Sequence, residues 1–80
     1  MNISQAVAKR ILELCQERKI TVNKLSTISA VTQSTVNDIV NYHAKNIGIV
    51  TIKKLCDGLG ISIVEFFQTE YFENLEQEIY

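Results

Sequence analysis

From Ile3 to Phe67 the apolar residues recur at three- and four-residue steps, and no alternating run is long enough to build a strand. The chain contains no proline to interrupt such a register. Its 80 residues suffice for one domain around one small core. With 46% hydrophobic and 21% charged residues, it carries enough apolar surface to fold rather than stay disordered. The expectation is an all-α fold of five short helices, compact, with a body over residues 1–68 and a tail over 69–80.

Helix 1 is expected over about residues 3–18, burying Ile3, Val7, Ile11, Leu14 and Cys15 on one stripe. Asn2 and Gln5 read as a capping box, and Leu12 lies off the stripe. Helix 2 follows the N-cap Thr21 and buries Val22, Leu25 and either Ser26 or Ile28. Ser29-Ala30-Val31 makes a short connection to helix 3, which is capped by Thr32 and turns Val36, Ile39 and Val40 inward. A loop is expected over 42–50. Helix 4 then begins at Thr51, buries Ile52, Leu55, Cys56 and Leu59, and is ended by Gly58 and Gly60. Ser62 and Glu65 form a second capping box at the start of helix 5, with Ile61 and Phe66 placed as a hydrophobic staple. In the tail, Tyr71, Phe72, Leu75 and Ile79 keep helical spacing among glutamates, as an extension of helix 5 or a short sixth helix.

Several kinds of chemistry are excluded by what is missing. Cys15 and Cys56 sit among apolar neighbours and read as small buried hydrophobes, with no disulfide between them. One histidine and two distant cysteines match no zinc pattern, so no metal or other cofactor is expected. Nucleophile elbow, phosphate loop and His-Glu metal motif are all lacking, so the chain does not read as an enzyme. No apolar run reaches the ~18 residues that span a bilayer, and MNISQAVAKR lacks the order of a signal peptide. A cytoplasmic protein without membrane contact is the expectation.

The net charge of −1 conceals an asymmetry. Residues 1–64 hold all eight lysines and arginines against four acids, a net +4, whereas residues 65–80 hold five acids and no base. A short helix, a tight turn and a second helix with a polar outer face form the helix-turn-helix pattern. That outer face carries Gln33, Ser34, Asn37, Asp38 and Asn41, and no cation.

Two stretches, TVNKLSTISAVTQSTVNDIV and TIKKLCDGLGISIVEFF, carry a resemblance to the phage repressor/Cro-type (Xre-like) helix-turn-helix DNA-binding family. It extends over about residues 7–67. The resemblance implies a five-helix domain, operator binding through helix 3 and a two-fold homodimer. The family's base-reading sites fall on Gln33, Ser34 and Asp38, with Asn37 beside them. Its phosphate-contacting sites fall near the start of helix 2 on Val22 and Asn23, on Thr32, and around the loop from Asn41 to Lys45, which makes Asn23, Lys24, Thr32, Thr35, Asn41, His43 and Lys45 the expected phosphate contacts. The sequence departs from the family at three places. Ala30 stands where glycine is usual, Val22 where a polar phosphate contact is usual, and Cys15 with Val40 where many members place a buried Arg–Glu pair.

A helix without cations is not thereby unfit to read DNA. Phosphate neutralisation supplies most affinity and needs positive charge near the backbone, while base edges are read by hydrogen-bond geometry. Gln and Asn suit adenine, so an operator containing A·T pairs is expected on double-stranded DNA. Asp38 either accepts from cytosine N4 or repels phosphate. The leading expectation is a sequence-specific DNA-binding transcriptional regulator of the repressor kind. The alternative is a protein-interaction module on the same fold, suggested by the acidic pI of about 5.7 and the apolar-acidic tail.

Overall fold

Both capping boxes form as read. Asn2 Oδ1 accepts the Gln5 amide at 2.9 Å while Gln5 Oε1 accepts the Asn2 amide at 3.0 Å, which opens the first helix. Ser62 and Glu65 repeat the arrangement at the fifth. Between them the computed structural model, described over residues 1–79, holds α1 (Ile3–Arg18), α2 (Val22–Ser29), α3 (Gln33–Val40), α4 (Ile49–Leu59) and α5 (Ile63–Phe67). A single 3-10 turn follows at Glu70–Phe72, and no strand occurs among the described residues.

Four of the five helices end by one device. The residue after each helix, or after its cap, adopts a left-handed conformation, and the next amide returns to a carbonyl five residues back. The left-handed residues are Lys19, Ala30, Tyr42 and Gly60. The returning bonds run from Ile20 to Cys15, Val31 to Ser26, His43 to Asp38 and Ile61 to Cys56, at 2.8–3.1 Å. Only one of the four positions is glycine, so three residues hold a backbone conformation that L side chains disfavour. Ile20, Val31 and Ile61 pack on the core as they return, which offsets that cost.

The core gathers Val7, Ile11, Leu14 and Cys15 of α1 with Leu25, Val36, Ile39, Val40, Ile52, Leu55, Cys56, Leu59 and Phe66. Cys15 and Val40 are both buried in it, so both positions are apolar and neither leaves a charge in the core. Both cysteines are free, and burial pushes both thiols above the ordinary range.

Arginine performs a different task in this fold. Arg10 donates from Nε to the Phe66 carbonyl at 2.7 Å and from its guanidinium to the Glu65 carbonyl at 2.8 Å. Arg18 donates from Nε to the Leu59 carbonyl at 3.0 Å. Two cations of α1 thus satisfy the carbonyl ends of α5 and α4, where the helix dipole favours positive charge.

The structure corrects several details of the sequence reading. Ile3 is 41% exposed, and the inner side of α1 is completed by Ala6 and Ala8. Ser26 is buried and Ile28 is not. Ser29 still belongs to α2, so the connection is only Ala30-Val31 before the Thr32 cap. Asn41 caps the end of α3 rather than extending its polar face. Helix α4 starts at Ile49 on an extended Gly48, ahead of Thr51. Ile49 and Val50 are exposed, so burial periodicity carried no trace of that first turn.

Gly58 lies inside α4 and has a packing role. A Cβ there would stand 2.0 Å from Ser29 Oγ and 3.1 Å from Ser29 Cα, so α2 and α4 approach too closely for a larger residue. In the tail, helical spacing is used for one turn only, because Thr69 is extended and ends the run from α5. Phe72 nevertheless folds back, meeting Phe67 edge-to-face at 5.0 Å between ring centroids. The Tyr71 ring lies 4.6 Å beneath Lys9 Nζ.

Candidate nucleic-acid interface

Helix α3 is oriented by what it buries. Val36, Ile39 and Val40 fix its inner side, and at about 100° per residue this sets Ser34 and Asp38 at the middle of the outer face. Gln33 and Asn37 flank them on one side and Thr35 on the other. All five are exposed. Among the described residues no hydrogen bond or ion pair engages the side chains of Gln33, Asn37 or Asp38. Three groups are therefore free to meet an external partner.

Thr32 and Thr35 are committed differently. Thr32 Oγ1 accepts the Thr35 amide at 3.4 Å, lies 2.8 Å from Thr35 Oγ1 and 3.4 Å from Ser34 Oγ. This hydroxyl cluster caps α3 and leaves acceptor capacity on its outer side. Asn23 and Lys24 are exposed in the first turn of α2, behind the Thr21 cap.

Beyond α3 the chain is tied down rather than loose. The Asp38 carbonyl accepts from both His43, at 2.8 Å, and Ala44, at 3.1 Å. Tyr42 is forced into the left-handed region by that return. Asn41, His43 and Lys45 are exposed on this turn, so their positions are set by the same helix that carries the polar face. Ser4 Oγ donates to the Lys45 carbonyl at 3.5 Å and joins the loop to α1.

Electrostatics agree with an anion partner. The first turns of α2, α3 and α4 contain no acidic residue, leaving their positive ends unneutralised. At α4 the cap is Gly48, which offers no side chain, so the leading amides remain available to phosphate. Against this, the supply of cations is smaller than the sequence suggests. Arg10 and Arg18 are spent on carbonyls, Lys9 stacks on Tyr71, and Lys53 pairs with Asp57. Lys24 and Lys45 are the cations placed next to α3 in the chain.

All eleven residues singled out from the sequence are exposed, and ten of them lie on α3, its caps, the turn that follows it or the first turn of α2. Lys45 is the eleventh, in the loop just after the turn. The sequence reading placed the amino end of α4 two residues late, at Thr51 instead of Ile49. It also missed that two arginines are structural. Their spacing on α1 holds no signal for that, since their acceptors lie 41 to 56 residues away.

The geometry has counterparts. The Cro/C1-type helix-turn-helix DNA-binding domain matches residues 10–70 of the chain. The crystal structure of the prophage Lp1 protein 11 superposes with a TM-score of 0.81 and 32% identity, covering 94% of this chain and all of that one. The wild-type restriction-modification controller protein C.Esp1396I has the same fold, with a TM-score of 0.74 and 23% identity over 81% of this chain and 82% of its own. No curated protein matches the sequence at a significant level.

Proposed function

Because the chain belongs to the Cro/C1-type helix-turn-helix DNA-binding family, we propose that it is a repressor-like transcriptional regulator that lays α3 in the major groove of an operator. The observation that carries this reading is the outer face of α3, where Gln33, Asn37 and Asp38 are exposed and unpartnered beside a helix end rich in free amides. Gln33 and Asn37 match adenine edges, and Ser34 serves several bases. Asp38, central on the face, accepts from cytosine N4 or adenine N6 and penalises sites without a donor there.

Phosphates on either side are held by Asn23 and Lys24, by Thr32 and Thr35, and by Asn41, His43 and Lys45. The amino ends of α2 and α4 add amide donors. A homodimer would set two such faces on half-sites about one helical turn apart. Ile49 and Val50 at the start of α4, and Val64 on α5, are 61–72% exposed and suit a contact between copies. The site of action is the cytoplasm.

Selection of bound fragments from genomic DNA, followed by titration at several salt concentrations, tests the proposal. An enriched, inverted-repeat sequence whose affinity falls steeply with salt is the expected result. Absence of any duplex binding at low salt would leave the fold as a protein-interaction module.

A further inference from the structure

The tail does more than cover the core with Phe72. After the 3-10 turn it runs across the start of α1, where the Glu76 amide donates to the Met1 carbonyl at 3.2 Å. The Glu76 carboxylate lies 3.7 Å from the terminal amine of Met1. That anchor brings Glu78 to the loop after α3, where it lines the same two surface hollows as Lys45. One of those hollows also includes Tyr42 and Ala44 of the turn. Glu78, from the acidic end of the chain, therefore borders the same surface space as Lys45, one of the two cations next to the recognition helix.

We propose that residues 76–79 are an internal competitor for the DNA backbone, holding negative charge against the Lys45 loop until a phosphate displaces it. The inference rests on the reading of the chain as a DNA binder and adds a control on its strength. A phosphate arriving at Lys45 enters a hollow that Glu78 also lines, so binding either displaces the tail or forfeits part of the attraction. The effect is the same for every sequence, because Lys45 lies at a backbone-contacting position. The tail thus lowers occupancy of random DNA while base contacts on α3 still decide which site is preferred.

The test is a set of titrations of the full chain on a selected duplex and a scrambled one, across salt. Glu78→Gln should bind both duplexes about two- to fivefold more tightly at low salt, with a salt slope steeper by up to about one unit. Glu73→Gln, the same charge change at the end of the 3-10 turn, should gain much less. In a Lys45→Ala background Glu78→Gln should gain nothing. Amide signals of Tyr42 to Asn46 should shift in Glu78→Gln and not in Glu73→Gln, which locates the contact without DNA. Equal gains from both glutamates, or a gain that survives Lys45→Ala, would reduce the effect to general charge and overturn the proposal. Duplex binding that Glu78→Gln leaves unchanged overturns it while the DNA-binding reading stands. No duplex binding by any variant defeats that reading, and the proposal with it.

Discussion

At Gly58 a missing side chain lets two helices touch. Alanine is normally favoured over glycine in a helix by about 1 kcal/mol, but here its Cβ would fall within 3.1 Å of the Ser29 backbone. Overpacking of that kind costs roughly 1–3 kcal/mol, so Gly58→Ala should lower thermal stability despite the better propensity. Ser29→Ala should be neutral or stabilising, because Ser29 Oγ is buried without a hydrogen-bond partner among the described residues. It should also soften the Gly58→Ala penalty without abolishing it, since Ser29 Cβ and Cα remain in the way. Ala30 presents the opposite case, with φ of 55° at a position where glycine carries no steric penalty. Ala30→Gly should raise stability by roughly 0.5–1 kcal/mol, the relieved strain exceeding the added chain entropy. Thermal or denaturant unfolding of these variants checks each expectation, and a stabilised Gly58→Ala would contradict the close α2–α4 approach.

Helices in this chain are specified by their ends as much as by their stripes. Asn2, Thr21, Thr32 and Ser62 all cap with their side chains, and all four were legible because an N-cap is a local signal read within three residues. The inward stripes of α3 and α4 were legible for the same reason, through periodicity. What stayed hidden depends on distant contacts. Ile3 looks like a member of the α1 stripe but is 41% exposed, while Ala6 and Ala8 are fully buried at positions their spacing does not reveal. Arg10 reads as a surface cation until α5 is placed, after which its guanidinium satisfies two carbonyls. Arg10→Gln should therefore cost about 2–3 kcal/mol of stability, since hydrogen bonds to charged groups are worth about 1.5–3 kcal/mol. Urea unfolding measures this, and a loss below about 0.5 kcal/mol, the scale of an ordinary surface substitution, would show that the α5 end needs no cation.

For the molecule as a whole, charge is divided between tasks that the sum of residues conceals. The body is basic and the tail acidic, yet two arginines serve helix ends, Lys9 and Lys53 have partners within the chain, and Glu78 of the tail shares a surface hollow with Lys45. Affinity for DNA would then rest on few cations and many amides, with sequence preference on the cation-free face of α3. The most direct test of that division compares Gln33→Ala with Lys24→Ala on a selected duplex and a scrambled one at several salt concentrations. Gln33→Ala should cost ~1–3 kcal/mol on the selected site, relax preference at one base pair per half-site and leave the salt slope unchanged. Lys24→Ala should weaken both duplexes alike and reduce the slope by roughly one unit for each subunit bound. A Gln33→Ala variant that keeps the full ratio of selected to scrambled affinity would contradict the assignment of base reading to α3.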